Sequence, residues 1–226
     1  MPGPVKKPER AAAATPPVGE VTLAYFQHAR FLLGARRGTP LPPDRGFEVA
    51  FVGRSNSGKS SSINAIVDRR ALARASKTPG RTQQINFFDL GEERRLVDLP
   101  GYGYAQVPEE TRLEWRPLIE DYLERRASLH GLILTADCRR TLDELECMIL
   151  DWCHPRRIPL HILLTKSDKL SRGAASRALQ AWRRELLPGD GAVSVQLFSS
   201  LNRDGVDEAR GKVLEWLDFR QKKAPV

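Results

Sequence analysis

The segment from Gly53 to Ser60 has the composition of a phosphate-binding loop. It fits the pattern Gly-x4-Gly-Lys-Ser and directly follows the apolar run of residues 47–52. In such a loop the backbone curls so that its N–H groups point at the α- and β-phosphates, Lys59 reaches the β- and γ-phosphates, and the Ser60 hydroxyl binds Mg2+. A helix that begins near Gly58 adds the positive end of its dipole. The predicted phosphate contacts are Gly53, Arg54, Ser55, Asn56, Ser57, Gly58, Lys59 and Ser60.

A second motif, Asp-Leu-Pro-Gly, ends the predicted strand 94–98. In phosphate-loop proteins the aspartate at this place holds Mg2+ through water, and the glycine N–H senses the γ-phosphate. In isolation the same four residues would indicate only a turn. Because they follow the phosphate loop by one strand pair, we predict that the nucleotide or its metal contacts Asp98, Leu99, Pro100 and Gly101.

The segment Thr165-Lys166-Ser167-Asp168 follows a buried apolar run, at the sheet edge where α/β proteins bind ligands. The Asp168 carboxylate can accept hydrogen bonds from both N1–H and the 2-amino group of guanine, two donors that adenine does not present together. The methylene stem of Lys166 can cover the base. The alternative is a polar turn in which Ser167 or Asp168 caps the next helix. We predict guanine selectivity at this segment.

Residues Phe198, Ser199 and Ser200 end the last predicted strand. A backbone N–H at this place can meet the O6 atom of guanine. Two serines alone carry no information, but these stand in the order that the preceding motifs require. They are therefore predicted to complete the base site.

Residues 69–84 connect the phosphate-loop helix to the next strand and are rich in Gly, Pro and Arg. They contain Thr78 and Thr82. A threonine in such a loop can complete the Mg2+ coordination only when a γ-phosphate is present, which makes the loop a switch. Side-chain chemistry alone leaves both threonines open.

The composition favours an anionic partner and a reducing environment. The 226 residues are enough for one full core, and 36 Lys and Arg against 28 Asp and Glu give a net charge of +8. That charge suits RNA, although solubility alone would equally account for it. Cys138, Cys147 and Cys153 form no Cys-x-x-Cys pair, which indicates free thiols in the cytoplasm. No apolar stretch reaches the roughly 18 residues of a membrane span, and the N-terminus has no secretory signal.

The apolar pattern predicts an α/β fold with a mostly parallel six-stranded sheet and helices on both faces. Strands are expected near 47–53, 84–90, 94–98, 131–137, 159–165 and 193–198, and helices near 59–68, 111–127, 141–153, 171–186 and 205–220. Residues 1–20 are rich in Pro and Ala and are expected to be a disordered tail. The domain is expected to span residues 21–226 and to begin with a helix at 21–34. His161, within a buried strand, is expected to be structural.

The motifs together resemble those of the EngB-type GTPases, a family of small Ras-like P-loop GTPases of the TRAFAC class. The matching segments are Gly53–Ser60, 78–83, 98–105, Thr165–Asp168 and Phe198–Ser200, and the resemblance covers about residues 21–220. Most GTPases have Asn at the position of Thr165. The EngB-type family, which the chain resembles, has Thr there, as this chain does. The resemblance implies a Ras-like fold and a GTPase that binds GTP and GDP, with Mg2+ on Ser60 and Thr82. It thus favours Thr82 over Thr78. The further GTP contacts that it implies are Gly80, Arg81, Thr82, Gln83 and Gln84.

The resemblance also implies a role in assembly of the large ribosomal subunit and in normal cell division and septation. The expected partners are the subunit precursor and its rRNA, with no membrane and no DNA, and the protein is expected to be a monomer. Four arginine pairs are candidate rRNA contacts, with ordinary solvated surface as an equally good explanation. These pairs are Arg69-Arg70, Arg94-Arg95, Arg125-Arg126 and Arg183-Arg184.

Two positions bear on the hydrolysis step. In Ras a glutamine directly after the Asp-x-x-Gly glycine orients the attacking water, and here Tyr102 stands at that place, so slow intrinsic hydrolysis is expected. The amide oxygen of Asn56 could hold K+ against the phosphates in the role of an arginine finger, or it could only brace the loop. The expected catalytic residues are Lys59, Thr82 and Asn56.

Two other functional classes remain. A P-loop nucleotide kinase would share the first motif but has no reason to carry Thr-Lys-Ser-Asp at 165–168. A GTP-stabilised scaffold for septum assembly would bind GTP without needing its turnover.

Overall fold

The computed structural model describes residues 20–36, 38–73, 84–102, 109–186 and 193–219, with backbone alone at 20–22 and 109–116. Predictions that concern the rest of the chain lie outside the described residues. Among them are residues 1–19 of the predicted tail and the two candidate threonines Thr78 and Thr82.

The described elements alternate between strands and helices. The strands are β1 Arg30–Ala35, β2 Phe47–Gly53, β3 Ile85–Gly91, β4 Arg94–Asp98, β5 Leu129–Asp137, β6 Leu160–Thr165 and β7 Val193–Leu197. The helices are α1 Glu20–Gln27, α2 Lys59–Val67, α3 Glu109–Arg125, α4 Glu144–Cys153, α5 Arg172–Glu185 and α6 Val206–Trp216. A single 3-10 turn covers Ser167–Lys169. The predicted strands and helices from residue 47 onward are thus confirmed to within a few residues at their ends.

The strands form one mixed sheet in the order β1-β3-β4-β2-β5-β6-β7. The pairs β2–β4, β2–β5, β5–β6 and β6–β7 are parallel, whereas β1–β3 and β3–β4 are antiparallel. This confirms the expected mostly parallel α/β sheet. Because the carboxyl ends of parallel strands meet at one edge, the segments that follow β2, β4, β5, β6 and β7 converge there.

Each face of the sheet is covered by helices. Val49 and Phe51 of β2 pack with α2 and α6 on one face, while Ala50 and Val52 pack with α3, α4 and α5 on the other. This alternation is the reason that the central strands are apolar throughout. His161 is buried in β6 between Ser194 and Gln196, as expected for a structural residue, and its desolvation lowers the pKa of the imidazole to about 4.

The N-terminal segment differs from the prediction. We expected a helix over 21–34, but α1 ends at Gln27, and Arg30–Ala35 form β1, which raises the strand number from six to seven. The strand pairs with the free edge of β3, so tertiary pairing overrides the local pattern.

A buried ionic network fixes the end of the sheet opposite the motifs. The Glu48 carboxylate accepts hydrogen bonds from both Arg126 Nη2 at 2.7 Å and Nε at 2.9 Å, from Tyr122 Oη at 2.8 Å, and from Arg95 Nη1 at 3.1 Å. Arg95 and Arg126 are 6% and 5% exposed. For these two arginines both explanations, rRNA contact and ordinary solvated surface, were therefore wrong, because both side chains neutralise a carboxylate inside the protein.

Candidate functional site

The predicted motifs meet at the carboxyl edge of the sheet. The phosphate loop follows β2, Asp98 ends β4, Thr165 ends β6, and Ser199 follows β7. Parallel pairing through β5 brings these strand ends side by side. Segments that are far apart in the sequence therefore lie along a single edge of the sheet, as the doubly wound arrangement requires.

Close packing and left-handed backbone shape the phosphate loop. At Gly53 a Cβ would lie 2.2 Å from Oγ1 of Thr135, so no other residue fits between the loop and β5. Gly58 has φ 94°, in the left-handed region, and α2 begins immediately after it. Asn56 also has a positive φ of 64°, which asparagine tolerates better than most residues. The loop has the backbone that a phosphate cradle requires.

Lys59 and Asp98 form an ion pair at the start of α2. Their side chains are only 11% and 8% exposed, so each charge depends on its partner. The other oxygen of Asp98 lies 3.5 Å from Nδ2 of Asn86, and Oδ1 of Asn86 accepts a hydrogen bond of 2.9 Å from Gln84. A polar chain thus connects the predicted switch segment to the phosphate loop. Asn86 was not predicted, because it lies within a strand and belongs to no motif.

The donor set beside Lys59 suits Mg2+. Ser60 supplies a hydroxyl at the first turn of α2, and Asp98 supplies a carboxylate. Magnesium prefers such hard oxygen ligands and commonly takes only one or two of them from the protein, with the rest from phosphates and water. Within the described residues, no three His, Cys, Asp or Glu side chains come together to hold a metal. Thr82, the other expected ligand, lies outside the described residues.

Two threonines at the ends of neighbouring strands, Thr135 and Thr165, contact the phosphate loop. The hydroxyl of Thr165 contacts the Ser57 carbonyl and lies 3.1 Å from the Ala136 carbonyl, and the hydroxyls of Ser57 and Thr135 are 2.7 Å apart. Thr165 therefore holds the loop instead of turning its side chain to a base. Thr135 was not predicted, because a threonine in an apolar strand has no sequence signal beyond its β propensity.

Asp168 is oriented by a residue of the last motif. Ser199 Oγ donates a hydrogen bond of 2.7 Å to Oδ1 of Asp168, and Lys169 Nζ lies 3.4 Å from Oδ2. The hydrogen bond from Ser199 lowers the pKa of the Asp168 carboxyl, which therefore remains an ionised acceptor. The helix-cap alternative is wrong, because Ser171 caps α5 through a 3.3 Å hydrogen bond from the Ala174 N–H.

Lys166 joins the base motif to the phosphate loop. Its ammonium group donates to the Asn56 carbonyl at 2.7 Å and pairs with Oδ2 of Asp137 at 3.0 Å. Arg139 also binds Asp137 and, with Lys166, lowers the pKa of that carboxyl. Asp137 was missed, although it ends a buried strand at the same edge as Asp98, and that position was the available signal.

The Ser199–Ser200 segment has one backbone donor already in use. The Ser199 N–H donates to the Asp204 carbonyl at 3.0 Å, and Phe198 is completely buried. The next residue, Ser200, is exposed.

Tyr102 faces the core and not the phosphates. Its side chain is 0% exposed, and its hydroxyl lies 3.4 Å from Oε1 of Glu146 in α4. Its backbone pairs with the phosphate loop, since Ser55 N–H donates to Tyr102 O at 2.8 Å and Tyr102 N–H to Gly53 O at 3.3 Å. Tyr102 therefore cannot replace a water-orienting glutamine without leaving the core.

Some predicted contacts lie outside the described residues. They are Gly80, Arg81, Thr82 and Gln83. The predicted contacts that the structure does describe lie in the phosphate loop, the Asp98–Gly101 turn, Thr165–Asp168 and Phe198–Ser200, and all of these segments lie along one edge of the sheet.

The comparisons with known proteins agree with this arrangement. The sequence matches the family described as 50S ribosome-binding GTPase over residues 48–166. It is 51% identical over 195 residues to the probable GTP-binding protein EngB of Methylobacillus flagellatus, covering 86% of this chain and 94% of that protein. It is 53% identical over 196 residues to the protein of the same name from Azoarcus sp., again covering 86% of this chain and 94% of that protein.

A solved structure supports the fold. The chain is similar to the crystal structure of a probable GTP-binding protein EngB, with a TM-score of 0.63 and 20% identity, over 76% of this chain and 100% of that one. The family match covers the whole phosphate loop and ends at Lys166, the second residue of the Thr165–Asp168 segment, which the structure brings to the same edge. The chain therefore belongs to the EngB family of P-loop GTPases.

Proposed function

We propose that this chain is a Mg2+-dependent switch that binds GTP and GDP, hydrolyses GTP slowly, and acts in assembly of the large ribosomal subunit. One observation carries the choice of guanine. Asp168, ionised and held by Ser199, lies in the segment that Lys166 connects to the phosphate loop. A fixed pair of carboxylate oxygens beside a phosphate cradle matches the two donors that guanine presents.

Different residues of the chain would bind the phosphates, the metal and the γ-phosphate during hydrolysis. Lys59 exchanges Asp98 for oxygens of the β- and γ-phosphates, and the backbone N–H groups of the loop surround the phosphates. Mg2+, when bound by Ser60, neutralises charge on the phosphate oxygens. Gly101, exposed beside the loop, brings its N–H to the γ-phosphate. The burial of Tyr102 supports a slow intrinsic rate, since its phenol does not approach the attacking water.

The ribosomal role rests on the family match and on charge. The matched family is described as ribosome-binding, and the chain carries a net charge of +8. Arg70, Arg183 and Arg184 are exposed, unlike Arg95 and Arg126, and are the better candidates for rRNA contacts. A cytoplasmic location and a need for the protein in cell division and septation follow from the same proposal. Among the described helices, none combines the length and apolar character needed to cross a membrane.

Co-sedimentation with large-subunit precursors tests this function. More protein should sediment with the particles in a non-hydrolysable GTP analogue than in GDP, because the γ-phosphate orders the switch segments. Equal sedimentation in both nucleotides, or none in either, would contradict the ribosomal role and leave GTP binding to be judged separately.

Binding to the subunit should weaken steeply with salt. If about six phosphates are contacted, affinity should fall about a thousandfold between about 50 and 200 mM salt, through counterion release. The double change Arg183→Gln with Arg184→Gln should reduce the slope of log K against log salt by about one unit for each phosphate that is no longer neutralised. Glu185→Gln, an exposed change beside the pair, is the matched control and should not reduce the slope. A flat salt series for the wild type would leave the basic surface without this role.

Hydrolysis should be faster with K+ than with Na+. Asn56 is exposed, and within the described residues its side-chain amide makes no hydrogen bond that would brace the loop. Its oxygen is therefore available for a monovalent cation. We expect single-turnover hydrolysis to be about tenfold faster in KCl than in NaCl at equal ionic strength, a fraction of what an arginine finger supplies. Asn56→Gly should abolish the difference without strain, because glycine keeps the positive φ of 64°. Equal wild-type rates in both salts would rule the cation out.

A further inference from the structure

The N-terminal end of α4 contacts two segments at the carboxyl edge of the sheet. Asp143, the N-cap of α4, binds the Arg54 guanidinium of the phosphate loop. Glu146, one helical turn later on the same face, meets the hydroxyl of Tyr102 at 3.4 Å. Arg54 and Tyr102 are themselves bridged through their backbones. One end of α4 thus holds both the phosphate loop and the turn that contains Gly101.

The contact between Glu146 and Tyr102 lies next to Gly101, the residue whose N–H is expected to meet the γ-phosphate. Gly101 is exposed and directly precedes Tyr102, which is completely buried. A γ-phosphate that draws the Gly101 N–H toward it must therefore also displace or orient the backbone of Tyr102. Since the ring is packed in the core and its hydroxyl lies 3.4 Å from Glu146, such a displacement would reach Glu146 through this contact.

We propose that Tyr102 and Glu146 are positioning residues that set the Gly101 turn for the γ-phosphate, so that α4 responds to the nucleotide that is bound. This inference rests on the proposed binding of GTP. It assigns a role to a buried carboxyl group that the hydrolysis step does not use.

The surroundings of Glu146 keep it protonated at neutral pH. Burial first, and then a hydrogen bond with Asp143, raise the pKa of the Glu146 carboxyl to about 8. Within the described residues, the charged and titratable groups that face it are Asp143 on α4, Arg54 from the loop, Tyr102 after β4, and its neighbour Cys147. Burial also raises the pKa of Tyr102, which therefore stays a neutral donor. A neutral carboxyl group can share its proton with Asp143 while it accepts from Tyr102, whereas an ionised one is repelled by Asp143.

The sign of the pH effect follows from the raised pKa. The folded protein retains a proton on Glu146 that the unfolded chain loses near its ordinary pKa of 4.5. The free energy of unfolding should therefore fall as pH rises from 4.5 to about 8, and this contribution should level off above that. Glu146→Gln mimics the protonated form and should remove this part of the pH dependence.

The decisive measurement is the ratio of affinities for a non-hydrolysable GTP analogue and for GDP between about pH 6.5 and 9, with a melting curve at each pH. In the wild type the ratio should fall about two- to tenfold as Glu146 ionises, because it then loses the hydrogen bond with Asp143 and is repelled by it, and this is the effect expected for one hydrogen bond. The Glu146→Gln variant should give a flat ratio. Glu144→Gln makes the same chemical change at an exposed position of the same helix and should follow the wild type.

A second variant keeps the test independent of ionisation. Tyr102→Phe retains the buried ring and removes only the hydroxyl, so at about pH 7 it should lower the ratio by about two- to tenfold with little change in GDP affinity. Identical pH profiles in wild type and Glu146→Gln, or a Tyr102→Phe ratio equal to that of the wild type, would overturn the inference. If the wild-type protein bound no GTP at any pH, the proposed function would fail instead.

Discussion

Replacing Asp168 by asparagine should lower the affinity for GTP by up to about 10^4-fold and raise the affinity for xanthosine triphosphate in the same protein. The structure indicates how the new amide will be oriented. Ser199 donates a 2.7 Å hydrogen bond to Oδ1, so the amide oxygen of the variant should take that position and its NH2 group the other. The NH2 group then opposes the 2-amino group of guanine and suits the O2 atom of xanthine. Competition binding with both nucleotides measures the exchange.

The reciprocal change separates recognition from folding. Loss of structure would weaken both nucleotides, whereas a change of base contacts must strengthen one of them. Asp151→Asn, the same substitution at an exposed position of α4, is the matched control and should leave both affinities unchanged. If ATP displaced labelled GTP from the wild type as well as GTP does, Asp168 would not select guanine, and the interpretation of the site as a GTPase site would fail with it.

The parts of the site that could be predicted are those encoded in short contiguous runs. The phosphate loop needs glycine at places where the backbone is crowded or left-handed, and Gly53 and Gly58 show both requirements. Asp98 and Asp168 follow apolar strands, so their shared edge could be inferred from parallel pairing. In each case a short contiguous pattern was enough to predict where the residue lies.

The parts that were missed depend on partners far away in the sequence. Tyr102 and Glu146 are 44 residues apart, and the helical period of α4 gave no indication that its first turn would face the phosphate loop. The replacement of the last part of the predicted helix 21–34 by β1 has the same origin, because pairing with the free edge of β3 decides it. Glu48 did offer a signal, since a carboxylate within an apolar strand requires a buried cation, and that would have identified Arg95 and Arg126 as internal.

Replacing Lys59 by alanine should lower GTP affinity at least about tenfold, equivalent to about 1.4 kcal/mol. In a phosphate-binding loop the lysine contacts the β- and γ-phosphates, and Lys59 is that lysine here. GTP should therefore lose more affinity than GDP, which has no γ-phosphate. Titration of the variant with both nucleotides, in the presence of Mg2+, measures the difference. Lys212→Ala on α6 removes the same charge away from the motifs and should leave nucleotide binding unchanged.

The ion pair with Asp98 requires a further variant. Because both side chains are about nine-tenths buried, Lys59→Ala alone leaves Asp98 without its cation and should also lower the melting temperature. Adding Asp98→Asn removes the uncompensated carboxylate, so the double variant should regain stability. It should not regain GTP affinity, since neither the lysine nor the carboxylate that we propose as a partner of Mg2+ is restored. Recovery of binding together with stability would mean that Lys59 acts only by holding the fold, whereas unchanged affinity in the single variant would refute its contact with the phosphates.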